Sequence, residues 1–193
     1  MRILAVDTAG ERLSLALSGS AERVCEPGFH DKRIFKEFRG LLKKARLKMS
    51  DLDAVAVCTG PGRFTGIRVG MTFCSMLARS LGKPLVGVSR FEVLARSLPE
   101  AGSFCVELPA LAGEFYFQLS DGRKLQGSPQ WAKTEGLEAA AKGRERVPHP
   151  GTEPLMTASG LLGPAQDKLR SGRIGPCVPL YLKPWRGSER APA

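Results

Sequence analysis

Histidine is nearly absent from this chain. Only His30 and His149 occur. Neither has a second histidine four residues on, so no imidazole pair on one helical turn is available to a metal. The five cysteines (Cys25, Cys58, Cys74, Cys105, Cys177) are scattered, odd in number and form no C-x-x-C pair, which argues against a zinc site or a disulfide framework. Cys58 and Cys74 sit in apolar runs, where cysteine acts as a small hydrophobe. There is no Gly-Lys-Ser/Thr ending of a P-loop, no G-x-S-x-G and no Ser-His-Asp set. No run approaches the roughly 18 apolar residues of a membrane-spanning helix. The opening Met1-Arg2-Ile3-Leu4-Ala5-Val6-Asp7 reads as a strand that meets an acidic residue rather than as a signal peptide, so a cytoplasmic protein without a membrane partner is expected.

What is present is a chain of 193 residues, 42% of them hydrophobic. That suffices for one domain or two small lobes of roughly 100 residues each. The formal charge of +10 suits a polyanion such as tRNA, and equally a soluble basic protein.

Short apolar runs and turn clusters order the first half. Arg2 to Val6 is a buried-type strand, and Asp7 to Glu11 a turn cluster. Leu13, Leu15 and Leu17 alternate with small polar residues, as in a strand with one buried face. A third strand is expected over Arg23 to Glu26, then a helix over Asp31 to Arg46. Ile34, Phe35, Phe38, Leu41, Leu42 and Ala45 fall on one face of that helix. Lys36, Arg39, Lys43 and Lys44 fall on another, either as a solvated face or as a contact for tRNA or an acidic partner. Asp53 to Thr59 reads as a central strand, Gly66 to Leu81 as a second helix, Pro84 to Val88 as a strand and Phe91 to Leu98 as a short helix. Residues 1–98 therefore read as one β-β-β-α-β-α-β-α lobe. Residues 99–193 read as a smaller one: strands over Phe104–Leu108 and Glu114–Leu119, weak helices over Lys133–Arg144 and Leu161–Arg170, a loop over Pro148–Pro154, a last strand at Pro179–Leu182, and a flexible tail after Pro184.

The second helix has an apolar arc of roughly 220°, against the ~100° that covers one core face. Such a helix is normally buried on two sides. One side is its own sheet. The other is a neighbouring helix, the C-terminal lobe or another subunit.

Gly60-Pro61-Gly62-Arg63-Phe64-Thr65-Gly66 joins strand to helix. Its glycines suit a backbone that turns sharply and aims amides at an anion, or a tight connection with Thr65 as N-cap. Asp7 suits a magnesium ion or its waters, or a turn aspartate bonded to its own backbone.

Four segments carry a family resemblance. Met1 to Ala9 closely resembles the start of TsaB proteins. Gly60-Pro61-Gly62-Arg63-Phe64-Thr65-Gly66-Ile67-Arg68-Val69-Gly70 resembles their G-P-G-x-F-T-G-x-R-x-G segment. Gly113-Glu114-Phe115-Tyr116 and Pro179-Leu180-Tyr181-Leu182-Lys183 resemble a G-E-x-Y and a P-x-Y-L-basic element. The resemblance implies an actin-like ATPase (ASKHA) fold of two related α/β lobes, each a mixed sheet flanked by helices, with the C-terminal lobe reduced. It implies a non-catalytic subunit of the machinery that makes threonylcarbamoyladenosine in tRNA. The partners would be the catalytic relative TsaD, the small ATPase TsaE and tRNA within the complex, with a homodimer when the chain is alone. The pairing would run through the first two helices as a four-helix bundle, and Ile34, Phe38, Leu41, Gly70, Met71, Cys74 and Ala78 are the candidate interface residues. Their division between partner and sheet stays open. Asp7, Thr8, Gly60, Gly62, Thr65 and Gly66 would form a vestigial nucleotide cleft. No cofactor is implied, and no metal, because the H-x-x-x-H ligands of the catalytic relative are missing.

Two departures stand out. Leu108-Pro109-Ala110-Leu111-Ala112 lacks the acidic residue and arginine usual before G-E-x-Y, and Met76 replaces a common glycine. The rival readings are an ATP-binding small-molecule kinase or ATPase of the same fold, with Asp7 and the glycine loop on the phosphates, and a tRNA-binding module.

Overall fold

The computed structural model describes residues 1–20, 22–25, 27–28, 30–111, 113–147 and 156–183. The expected loop over Pro148–Pro154 and the tail after Pro184 lie outside the described residues.

The first sheet has the order β3-β2-β1-β4-β5, built from β1 (Ile3–Asp7), β2 (Ser14–Leu17), β3 (Glu22–Val24), β4 (Ala54–Gly60) and β5 (Leu85–Ser89). The first three strands pair antiparallel, and β4 and β5 run parallel to β1. Between them lie α1 (His30–Ala45) and α2 (Phe64–Leu81). Strand alternation fixes which helices cover which face. Leu4, Val6, Leu15, Val55 and Val57 point to α1 and α2. Ile3, Ala5, Ala16, Ala54, Ala56 and Cys58 point to the other face. The small residues there let a helix approach closely.

That second face is covered by α3 (Arg90–Ser97) and by α5 (Ala158–Arg170), a helix from the far end of the chain. The backbone N–H of Ala158 donates to Ser14 Oγ at 2.9 Å and that of Ser159 to Glu22 Oε1 at 3.0 Å. The N-terminal amides of α5 are thus satisfied by the first sheet. Arg96 pairs with Asp167, and Lys168 Nζ reaches Glu92 at 2.6 Å and the Gly87 carbonyl at 2.7 Å. A division at residue 98 leaves α5 with the second lobe. The contacts put it on the first, because its apolar face (Ala158, Leu161, Ala165) meets the alanine-rich side of that sheet.

The second sheet has the order β8-β7-β6-β9, from β6 (Ser103–Pro109), β7 (Glu114–Asp121), β8 (Lys124–Lys133) and β9 (Glu145–Val147), with α4 (Thr134–Ala140) before β9. Three antiparallel strands, a helix and a parallel fourth strand repeat the first lobe's plan without a counterpart of β5 among the described residues. This is the two-lobed actin-like fold with a reduced second lobe. Among the described residues no helix is long and apolar enough to cross a membrane.

Three elements differ from the sequence expectation. β8 and β9 are strands that the pattern does not announce. Pro179–Leu182 forms no ladder; the Leu180 N–H donates to the Thr59 carbonyl at 2.8 Å.

Candidate functional site

The ends of β1, β4 and β5 meet beneath the glycine-rich loop. Asp7 and Thr8 are fully buried there. Asp7 Oδ1 accepts from the Ala9 N–H at 2.7 Å, and Oδ2 faces Arg90 Nη2 at 3.4 Å. Arg90 lies beside the carboxylate with its side chain largely buried. Burial opposes its charge, while Asp7 and Cys58 raise its pKa. Its Nε is buried without a hydrogen-bond partner. Burial, with Asp7 adding to it, pushes the neighbouring Cys58 thiol up to about 12.

The glycines of the loop have a packing reason. A Cβ at Gly62 would stand 2.3 Å from the Ala9 carbonyl oxygen, one at Gly66 2.0 Å from that of Thr8, and one at Gly70 2.2 Å from Thr8 Oγ1. Spaced by four, they present one bare edge of the loop and helix to the β1 end. Thr8 Oγ1 donates to the Gly66 carbonyl at 2.7 Å, and the Arg63 N–H to the Ala9 carbonyl at 2.8 Å. The candidate cleft residues Asp7, Thr8, Gly60, Gly62 and Gly66 do come together, but around one another. Thr65 is not the N-cap: Arg63 holds that position without a side-chain bond, and Thr65 is exposed inside the helix.

The helix pair separates the expected interface residues differently. Ile34, Phe38, Leu41, Cys74 and Ala78 lie in the core against the sheet. Gly70 is buried on Thr8, and Met71 is half-buried. The six buried ones turn mainly to the sheet, which takes the middle of the apolar arc, although Ile34 also lines the groove between the helices. The outward face belongs to other residues. Phe35 is 61% exposed and Met76 63%, and with Val69, Thr72, Arg68 and Asp31 they line a groove of about 360 Å³ between α1 and α2. Phe35 stands edge-on to Phe73 at 5.1 Å, and Phe73 to Phe38 at 5.5 Å, so a ladder of rings runs from core to groove. Lys36, Arg39, Lys43 and Lys44 are all exposed on α1. The departure at Met76 therefore falls on the open rim.

The two short elements of the second half meet. Lys183 pairs with Glu114 and lies 5.4 Å over the Trp131 ring, while Trp131 Nε1 donates to Glu114 Oε2 at 3.3 Å. Tyr181 packs on Phe64 at 4.7 Å. Sequence reading did not find Arg90 or Trp131, since neither sits in a recognisable motif. Among the described residues no three His, Cys, Asp or Glu side chains gather as a metal site.

Residues 28–160 match the family model of TsaD, tRNA N6-adenosine threonylcarbamoyltransferase. A 100-residue segment is 37% identical to the tRNA threonylcarbamoyladenosine biosynthesis protein TsaB of Escherichia coli, covering 50% of this chain and 43% of that one. The match thus spans under half the length of that relative. An uncharacterised protein of Mycobacterium bovis is 35% identical over 197 residues, covering 94% of this chain and 91% of that one. The solved structure of YeaZ from Pseudomonas aeruginosa superposes with a TM-score of 0.76 at 24% identity, over 94% of this chain and 100% of that one. By sequence the chain belongs to the TsaB (YeaZ) family, among the relatives of the TsaD threonylcarbamoyltransferases.

Proposed function

We propose that this chain is a non-catalytic subunit in the formation of threonylcarbamoyladenosine in tRNA, supporting a TsaD-type catalytic chain and helping to recruit a TsaE-type ATPase. The observation that carries the reading is the outer face of α1 and α2. Two large apolar side chains, Phe35 and Met76, stand well over half exposed beside a groove between the helices. Apolar patches of this kind mark protein interfaces. A related lobe with the same helix pair would lay its own apolar ridge in the groove. Without that partner, a second copy of this chain offers the same self-complementary face.

The non-catalytic part rests on the cleft. Asp7 is the carboxylate placed to hold a cation for phosphate chemistry, and its outer oxygen faces Arg90 instead. That weighs against the kinase or ATPase reading. The exposed Lys36, Arg39, Lys43 and Lys44 favour a second role for α1, as an electropositive rim toward tRNA or an acidic partner.

Reconstitution tests the proposal. Threonylcarbamoyl transfer to tRNA by TsaD-type and TsaE-type chains should require this chain and should persist with Met-to-Leu exchange at position 76. Full transfer in its absence would overturn the reading.

A further inference from the structure

After α5, residues 173 to 183 form neither helix nor strand and touch both lobes. Its contacts alternate between them. Cys177 packs against the first lobe's core, and its sulfur lies 3.1 Å from where a Cβ of Gly87 would be. The Leu180 N–H bonds the Thr59 carbonyl at the end of β4. The Leu180 carbonyl oxygen lies 3.3 Å from where a Cβ of Gly60 would be. The Leu180 and Leu182 side chains pack instead where α3 meets the second sheet, in the cluster of Phe91, Leu94 and Leu108. Tyr181 leans back onto Phe64 of α2, and Lys183 closes on Glu114 of β7. Pro176, Val178 and Leu180 line the roughly 350 Å³ space between the lobes together with Thr59, Gly87 and Gln118.

In a two-lobed fold of this kind a ligand held between the sheets would touch the ends of β4 and β5 on one side and the second sheet on the other. This segment already takes up part of those surfaces, at Thr59 and Gly87 on one side and Glu114 on the other. We propose that residues 173–183 are a built-in strap that occupies the interlobe cleft in place of a ligand and fixes the two lobes in one relation. The strap runs close to both glycines: a Cβ at Gly60 would stand 3.3 Å from the Leu180 carbonyl oxygen and one at Gly87 3.1 Å from Cys177 Sγ, behind the nearer first-lobe contacts with Ile67 at 2.7 Å and Thr59 at 2.9 Å. It also links the open α1–α2 face, through Phe64 and Tyr181, to the second lobe. The inference stands apart from the assembly role: it concerns the free chain.

Hydrogen exchange on the full chain tests it. Leu180→Pro removes the N–H that bonds Thr59, and Lys183→Gln removes the ion pair with Glu114 at lower risk to folding. Both variants should speed exchange about tenfold in amides near residues 59–66 and 114–119, with no change in α1, because only the two facing edges lose their bridge. Millimolar Mg–ATP should protect nothing in the unaltered chain. Unchanged rates at both edges in Lys183→Gln, equal acceleration in α1, or ATP protection of residues 59–66 in the unaltered chain would each overturn the strap.

Discussion

Replacing Gly66 with alanine separates a packing role for the glycine-rich segment from a phosphate-binding one. The new Cβ would lie 2.0 Å from the Thr8 carbonyl oxygen and 3.1 Å from its carbon. Ordinary contact begins near 3.4 Å, so the β1 end and α2 must part by ~1.4 Å in an interior packed as densely as a crystal. Overpacking costs about 1–3 kcal/mol where side chains can yield. Here both sides are backbone, so the cost lies at or above the top of that range, and alanine's helix preference returns about 1 kcal/mol. The net loss is roughly 2 kcal/mol, which for a chain of this size lowers Tm by about 4–8 °C. Gly40→Ala is the control. It sits on the exposed side of α1 with no atom within 4 Å of its Cβ position, and should gain about 0.5–1 kcal/mol. Thermal melts followed by far-ultraviolet circular dichroism measure both. A Gly66→Ala chain that melts at or above the unaltered chain would refute the close-approach argument.

Phe38→Ala should cost about 3–5 kcal/mol in urea denaturation, as for a fully buried ring, whereas Phe35→Ala should stay within about 1 kcal/mol. Stability should fall as pH rises from 9 toward 12, because the unfolded chain releases the Cys58 proton near the ordinary value while the folded chain holds it to about 12. With fewer protons bound in the unfolded state, each pH unit in that window removes about 1.4 kcal/mol. Cys58→Ala should lessen that slope, by about 1.4 kcal/mol per pH unit, in denaturation series at pH 8 and pH 10, without abolishing it, because burial also raises the Cys74, Cys105 and Cys177 thiols. If α1 touches tRNA, neutralising Lys36, Arg39, Lys43 and Lys44 should lower the salt slope of complex–tRNA binding by roughly 3–4; an unchanged slope assigns these residues to solvent.

How far the sequence reaches depends on how local the physics is. Val55 and Val57 alternating with Ala54 and Ala56 announce a central strand, and the burial of all four follows. The helix bounds are legible for the same reason: Gly82 adopts the left-handed cap that ends α2. β8 is not legible, because an edge strand carrying Gly127, Pro129 and four glutamine or lysine positions has no apolar alternation; it exists through its ladder to β7. β9 is three residues, Glu145-Arg146-Val147, held by parallel pairing with β6 and by Arg146 on the buried Glu107. The wide apolar arc of α2 is correctly read as needing two neighbours, but a helical wheel does not say on which side the sheet lies. That is why Phe38 and Cys74 are core while Phe35 and Met76 are rim. The Asp7–Arg90 pair joins residues 83 apart in sequence, beyond the reach of any spacing rule.

Titration calorimetry against the TsaD-type chain of the same cell tests the assembly claim most directly. The unaltered chain should bind one to one. Phe35→Asp with Met76→Arg, two exposed sites that leave the core untouched, should weaken binding at least about a hundredfold at unchanged Tm. Equal affinity of the double variant, or no binding by either chain, would contradict the account.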